Sequence, residues 1–246
     1  MNKEHIKNMK PQFIQDLPDL NYALIGLQGS RMLGLQQSED ADYDYRGVFI
    51  APKKDLLSLH KPRPTIEGGS SVDGEMDYVF HEVEKFFQLA IKGTPSVIEL
   101  LFVPEYALIT SKGHLIVNNK HLFLGEKALR SAFSGYAMSQ IIYLQKNRGD
   151  AKRKAKHVRH CFRLFDQGAE LLSTGHISMP LKNPEYYLRL GEMIYQEGGL
   201  ENLVRIFEEK DAEFRRIKSV LPEHPDVERI NQLLLHIRGE AYSWEI

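Results

Sequence analysis

Two aspartates one residue apart, Asp42 and Asp44, are the residues of this sequence whose spacing most clearly suits chemistry. On an extended strand, residues i and i+2 point to the same face, so the two carboxylates repel each other unless a positive charge lies between them. A divalent cation supplies that charge, and hard oxygen ligands favour Mg²⁺. Upstream, Gly29 and Ser30 form a turn that opens a helical segment, where free backbone N–H groups bind phosphate. A metal site beside a phosphate site predicts phosphoryl or nucleotidyl transfer.

Asp77 is the candidate for a third carboxylate. It lies in a strand predicted over residues 75–80, and the alternation of that strand puts Asp77, Val79 and His81 on one face. If this strand neighbours the one that begins near Asp44, three carboxylates meet and can hold two Mg²⁺ ions. The alternative is that Asp77 is a solvated strand residue. His81 is interpreted as a structural or supporting group rather than a ligand.

Three polar residues beside the aspartates each have two interpretations. Ser30 alone is best explained as a helix N-cap, worth about 1 kcal/mol, but the aspartates downstream favour a phosphate contact instead. Arg31 and Arg46 either pair with the aspartates and limit their repulsion, or reach a phosphate, which a guanidinium binds with two hydrogen bonds. The residues alone leave both possibilities open for the two arginines.

The elements predicted in the front half alternate between strands and helices. Buried strands are predicted over 22–27 and 43–51, with a helix starting over 30–35 between them. After the strand at 75–80, apolar residues at helical spacing predict helices over 81–91 and 96–102. Every residue singled out above therefore falls on a strand or at the junction between a strand and a helix.

Residues 53–74 form a long loop in this prediction, because they combine prolines, glycines and serines with scattered basic residues. The simpler interpretation is a mobile surface loop. The functional interpretation is a basic flap over a substrate that carries phosphate.

The back half of the sequence is predicted to be helical, because strand-like runs disappear after about residue 115. The segments with helical periodicity are 126–147, 150–173, 184–196, 200–220 and 226–240. The prediction is thus an α+β fold with two domains: a small mixed sheet with helices over residues 1–115, and an all-helical domain over residues 116–246.

Composition excludes several classes of protein. The 246 residues are 42% hydrophobic and 26% charged, as in ordinary globular proteins. The net charge of −1 creates no global attraction to nucleic acid or membrane. The single cysteine, Cys161, cannot form an internal disulfide, no signal-peptide pattern opens the sequence, and no apolar run reaches the ~18 residues of a membrane span. A cytoplasmic protein without a membrane partner is expected.

A second candidate site is the basic segment 146–163, in which Asp150 is the only acidic residue. On a helix, several of its cations are three or four residues apart and line one side. Such a surface suits the phosphates of a nucleotide or of an RNA or tRNA strand; the alternative is a solvated face balanced by acidic residues of segment 201–213. The basic residues are Lys146, Arg148, Lys152, Arg153, Lys154, Lys156, His157, Arg159, His160 and Arg163.

The strings GSRMLGL, SEDADYDYRGVFIAP and EMDYVFHEVEKFFQLAIKGTPSVIELLF together resemble the polymerase-beta-like nucleotidyltransferase superfamily. Within it, they are most similar to the branch called the RNA-repair-pathway polymerase-beta family. The resemblance is close over residues 22–104. It extends more loosely into the helical region, where a Lys-x-x-His-x-x-x-x-x-Arg pattern falls on Lys154, His157 and Arg163.

The resemblance implies a role for each site residue. Gly29 and Ser30 would contact the β- and γ-phosphates of an NTP such as ATP. Asp42 and Asp44 would bind two Mg²⁺ ions, with Mn²⁺ as an alternative, and Asp77 would bind the catalytic metal and help to deprotonate the acceptor hydroxyl. Further nucleotide contacts would come from Lys154, His157 and Arg163.

The activity that follows is transfer of an NMP from an NTP to a hydroxyl, with release of pyrophosphate. An RNA end is the expected acceptor, and a protein side chain or a small molecule are the alternatives. A rival hypothesis is a non-catalytic module that binds nucleotide, RNA or a toxin partner with the same fold. A metal-dependent phosphohydrolase fits the order of the Gly-Ser and Asp-x-Asp motifs less well.

Overall fold

The computed structural model describes residues 17–37, 42–59, 61–70, 76–146 and 149–241. Contacts divide the chain into two compact units that alternate along the sequence. The first unit comprises residues 1–89, 99–123 and 226–246, and the second comprises residues 90–98 and 124–225, each as far as it is described. The domain boundary between residues 115 and 116 stays a prediction. The two compact units differ from the predicted domains most clearly at the C-terminal helix. This helix was predicted in the helical domain, but it groups with the first unit.

A mixed sheet forms the centre of the first unit. Its strands are β1 (Asn21–Gln28), β2 (Tyr43–Ile50), β3 (Thr65–Ser70), β4 (Met76–Glu82) and β5 (Tyr106–Ile109). Their order across the sheet is β3-β4-β2-β1-β5, in which β2 and β4 are parallel and the other neighbours are antiparallel. Residues 23–28 of β1 are all buried, which explains why this strand is apolar almost throughout. The predicted mixed sheet followed by a helical region is confirmed.

Helices account for most of the remaining regular structure in the part of the chain that is described. In chain order they are α1 (Gly29–Leu33), α2 (Lys53–Leu57), α3 (Val83–Ile91), α4 (Pro95–Leu100), α5 (Ser111–Asn118), α6 (Glu126–Gln145), α7 (Ala151–Thr174), α8 (Pro184–Glu192), α9 (Gly199–Arg216) and α10 (Val227–Ala241). None of the helices traced here combines the length and the apolar composition of a membrane span.

The prediction of a long loop over residues 53–74 is wrong for the part that is described, and residue 60 and residues 71–74 lie outside the described residues. Helix α2 lies in this segment, and β3 pairs antiparallel with β4 from Thr65 to Ser70. The pattern of alternating side chains that would have indicated a strand is lost at Gly68 and Gly69. A Cβ at Gly68 would lie 2.3 Å from the hydroxyl of Tyr78, so this glycine allows the two strands to pair closely. Strand β5 was also missed, because its four residues are too few to show a periodic pattern.

The second unit is helical, and α7 is its longest described helix. Asp150 caps α7: its carboxylate accepts a hydrogen bond from the backbone N–H of Arg153 at 2.7 Å. The helix ends at Gly175, whose φ of 72° is readily adopted by glycine. Between these ends, apolar residues such as Phe162 and Phe165 are buried against the neighbouring helices α6, α8 and α9. The predicted helix over 150–173 is confirmed with its boundaries shifted by one residue.

Candidate active site

Asp44 and Asp77 lie directly opposite each other on the neighbouring parallel strands β2 and β4. Residues in register across a sheet point to the same face, so two of the three predicted carboxylates are side by side. The three-carboxylate site predicted from the sequence requires the strand of Asp77 to neighbour that of Asp44. In the structure, these two strands are neighbours. Asp42 lies just before β2, two residues from Asp44, and is half-buried.

Gly29 lies against the carboxylate of Asp44. It follows β1, in which Gln28 is in register with Asp44, and its φ is 70°. A Cβ at this position would be 1.9 Å from Oδ2 of Asp44. Glycine is therefore required here twice, by the backbone conformation and by the space that the carboxylate occupies.

Ser30 is the second residue of α1, and the residue at the N-cap position is Gln28. The interpretation of Ser30 as an N-cap is therefore wrong. Its suggested contact with phosphate stays a prediction.

Asp77 leans the other way, towards the edge of the sheet. Gly69 on β3 is in register with Asp77, and a Cβ at Gly69 would lie 2.7 Å from Oδ1 of Asp77. The carboxylates of Asp44 and Asp77 thus each lie against a glycine on the side away from the other. Repulsion between like charges favours this separation.

The donor set is one that a hard cation prefers, because carboxylate oxygens on neighbouring strands suit Mg²⁺. Within the described segments, however, no three side chains of His, Cys, Asp or Glu are close enough to hold a metal ion together. The structure brings two carboxylates side by side, and the three-carboxylate cluster stays a prediction.

The two arginines of the site have different surroundings, because Arg31 is on α1 and Arg46 is on β2. The guanidinium of Arg31 stacks on the ring of Tyr43, with Cζ 3.8 Å from the ring centroid. Arg46 follows Asp44 by two residues on β2 and therefore shares the face of the aspartates. Arg46 adds a positive charge to this face, one row away from the carboxylates.

His81 lies two rows from Asp77 on the same face, and its Nδ1 is 2.9 Å from Oγ1 of Thr65. Burial, reinforced by the charges of Arg46 and Lys85, lowers the pKa of His81 to about 4. The imidazole is therefore neutral at pH 7, which agrees with its interpretation as a supporting group.

We expect His81 to make the folded protein sensitive to acid. Between pH 6.5 and 4 the unfolded chain takes up a proton at this residue and the folded chain does not, so the free energy of unfolding falls as the pH falls through this window. In His81→Gln, this free energy, measured by urea denaturation, should depend less steeply on pH. His114→Gln, at an exposed position, is the control. Equal slopes in wild type and His81→Gln would contradict the expectation.

The basic segment 146–163 is divided between surface and interior. Lys152, Arg153 and Lys156 are exposed near the start of α7, and Lys154 is half-buried. Arg163, by contrast, is only 5% exposed. Its guanidinium donates to Oε1 of Gln167 and lies 2.7 Å from Nδ1 of His160.

His160 is a neutral member of this basic segment. Burial and neighbouring cations lower the pKa of His160 to about 3, so this imidazole is neutral and accepts from Arg163. Arg148 lies outside the described residues. The exposed positive surface therefore consists of Lys152, Arg153 and Lys156 near the start of α7, and Lys146, just after α6, is exposed as well.

His157 is held between two residues of α6. Its Nδ1 is 2.6 Å from Oε1 of Gln140, and its ring stacks on Tyr143 with centroids 3.9 Å apart. The guanidinium of Arg153 lies 5.8 Å from the same tyrosine ring. Burial and the charges of Arg153 and Lys156 lower the pKa of His157. The contact with Gln140 was missed from the sequence, because no local pattern connects a glutamine to a histidine on another helix.

Residues 19–236 match the model of the RNA repair pathway DNA polymerase beta family. The chain belongs to this family. Membership confirms the family inferred from the motifs and suggests that the protein is a nucleotidyltransferase. The match covers most of both compact units, so family membership is not confined to the sheet.

Among solved structures, the chain is similar to a nucleotidyltransferase-like protein from Exiguobacterium sibiricum, with 10% identity and a TM-score of 0.32. The similarity covers 86% of this chain and 77% of that one. No curated protein sequence gives a significant match. The assignment to the RNA repair pathway DNA polymerase beta family therefore rests on the family model and the motifs.

Proposed function

We propose that the protein is a metal-dependent nucleotidyltransferase, which moves an NMP from an NTP to a hydroxyl and releases pyrophosphate. The observation that carries this proposal is the register of Asp44 and Asp77 on neighbouring parallel strands, with Gly29 against the carboxylate of Asp44. This arrangement brings the Gly-Ser motif and the Asp-x-Asp motif close together in the sheet unit. Family membership supplies the class of reaction.

Each residue of the sheet unit has a role in this proposal. Asp42, Asp44 and Asp77 would hold Mg²⁺ or Mn²⁺, whose charge neutralises the triphosphate and favours ionisation of the attacking hydroxyl. The backbone N–H groups at Gly29 and Ser30 bind phosphate oxygens. Asp77, the more exposed of the two paired carboxylates, accepts the proton of the acceptor hydroxyl.

The remaining nucleotide-binding candidates are two arginines of the sheet unit and three residues of α7, each considered within its own unit. Arg46 shares the face of the aspartates and is suited to bind phosphate, whereas Arg31 is held on Tyr43 at the start of β2. Lys154 and His157 are the nucleotide-binding candidates of α7. Arg163 is buried, so we assign it to the support of His160 and Gln167 rather than to direct contact with nucleotide.

An RNA end is the acceptor that we propose. The family name refers to RNA repair, and the exposed cations Lys152, Arg153 and Lys156 provide a positive surface at the start of α7. Phosphate contacts of this kind do not depend on sequence and are weakened by salt. Contacts that do not depend on sequence suit an enzyme that accepts RNA ends of different sequence.

The test of the proposal is transfer of label. The protein is incubated with Mg²⁺, each α-labelled NTP, and a panel of tRNA, nicked RNA and protein acceptors. Transfer to RNA supports the proposal, and transfer only to protein changes the acceptor but not the reaction. Nucleotide binding without transfer to any acceptor would favour a non-catalytic module.

We expect Arg153→Ala/Lys156→Ala to weaken RNA binding. Removal of two phosphate contacts should reduce the slope of log affinity against log salt by about 1 for each residue. The measurement is a fluorescence-anisotropy titration of labelled RNA at several salt concentrations. Lys218→Ala, an exposed lysine of the same unit outside α7, is the control. Unchanged affinity and slope in the double variant would show that this surface does not contact RNA.

A further inference from the structure

Gly69, on the edge strand β3, has no role in the motifs but lies directly beside Asp77. It is in register with Asp77 in the β3–β4 ladder and is exposed to solvent. Its φ lies outside the left-handed region that favours glycine, so the backbone here would accept any residue. A side chain at position 69 is excluded by neighbouring atoms and not by the φ angle of residue 69 itself.

Those neighbours are the carboxylate of Asp77 and the peptide before it. A Cβ at Gly69 would lie 2.7 Å from Oδ1 of Asp77 and 2.6 Å from the backbone oxygen of Met76. Both distances are shorter than van der Waals contact allows. An alanine would therefore displace the carboxylate and push the edge strand away from the segment of β4 that carries it.

We propose that Gly69 is a positioning residue, which leaves the space in which the carboxylate of Asp77 is held at the edge of the sheet. The inference rests on the proposed function, because it gives Asp77 a role in cation binding. Gly29 does the same for Asp44 on the opposite side, so each carboxylate of the pair lies against a glycine. Gly69 extends the site to a third strand, β3, in a segment whose sequence predicted a loop.

Gly68 is a matched control within the same strand. Its backbone is also outside the left-handed region, and a Cβ there would lie 2.3 Å from the hydroxyl of Tyr78. Successive residues of a strand point to opposite faces, so Gly68→Ala disturbs β3 on the face away from the aspartates. A general weakening of β3 affects both variants, whereas displacement of Asp77 affects only Gly69→Ala.

The experiment measures Mn²⁺ binding by electron paramagnetic resonance, without nucleotide or acceptor. Gly69→Ala should bind Mn²⁺ about tenfold or more weakly than wild type, as expected when a group that orients a ligand is lost. Gly68→Ala should stay within about twofold of wild type. In the background Asp77→Ala, the additional change Gly69→Ala should have no further effect on Mn²⁺ affinity.

Urea denaturation of the same variants provides a measurement that does not require metal binding. If Gly69→Ala acts through the carboxylate, it should destabilise the chain less in the Asp77→Ala background than in wild type. An equal cost in both backgrounds, or failure to fold in both, would mean that contact with the Met76 backbone dominates and would overturn the inference.

The outcomes for the inference and for the proposed function are separate. Mn²⁺ binding that is lost in Asp77→Ala but unchanged in Gly69→Ala overturns the role of Gly69 and leaves the proposed function intact. The converse result has two parts. If the wild type binds Mn²⁺ and Gly69→Ala does not, the role of Gly69 is supported. If the same wild-type protein transfers no nucleotide, the proposed function is refuted.

Discussion

Asp44→Asn is expected to reduce nucleotidyl transfer by about 10³-fold or more while leaving the protein folded. Asn is nearly isosteric with Asp, so the contact between residue 44 and Gly29 is kept, but the negative charge that would bind a cation is lost. A bound cation contributes several kcal/mol to a phosphoryl-transfer transition state, and ~4 kcal/mol corresponds to a factor of about 10³. The measurement is single-turnover transfer of label from an α-labelled NTP to RNA.

The same substitution should slightly stabilise the protein in the absence of metal. Asp44 and Asp77 are in register on neighbouring strands, and like charges in such positions are destabilising by up to ~1 kcal/mol. Loss of activity together with a gain in stability is typical of residues retained for function. Asp19→Asn, at an exposed position before β1, is the control for both measurements. Transfer within tenfold of wild type in Asp44→Asn would contradict a catalytic role for this carboxylate.

The parts of the site that could be predicted from sequence are those encoded by local spacing. Asp42 and Asp44 are two residues apart at the start of a strand, and Gly29 and Ser30 follow another strand. Both patterns depend on residues close together in the chain, and local geometry fixes how their side chains point. The pairing of β2 with β4 could not be predicted, because no residue pattern within either strand specifies the strand with which it pairs.

The parts that could not be predicted depend on contacts between distant segments. Gly68 and Gly69 together predict a turn, because glycine pairs usually occur in turns. The close approach of Gly69 to Asp77 depends on the pairing of β3 with β4, which the sequence does not specify. Arg163 belongs to a run of cations, and only the packing of α7 against its neighbours decides that this one is buried. The periodicity of residues 226–240 predicts a helix but not the segments against which it packs, and in the structure this helix groups with the sheet unit.

The contact that holds α10 in the sheet unit leads to the largest expected effect on stability. Glu82, at the end of β4, is only 4% exposed. Nη2 of Arg238 on α10 lies 3.3 Å from both of its carboxylate oxygens, and 3.0 Å from Oε2 of Glu84. Glu82 also accepts the backbone N–H of Glu84 at 2.7 Å. Arg238 thus forms an ion pair with this buried carboxylate, and it connects α10 to the start of α3.

Arg238→Ala is therefore expected to lower the free energy of unfolding by ~3–5 kcal/mol, because it leaves the charge of Glu82 buried without its cation. Urea denaturation followed by circular dichroism measures the change. The double variant Arg238→Met/Glu82→Leu removes both charges and should recover most of the loss, since apolar replacements of a buried pair are often neutral. Lys127→Ala breaks an ion pair with Glu223 in which both side chains are 63% exposed, and it should change the free energy of unfolding little, because solvent screens the pair. If Arg238→Ala costs no more than this control, Glu82 is adequately solvated without its partner, and the attachment of α10 depends instead on the apolar residues of that helix.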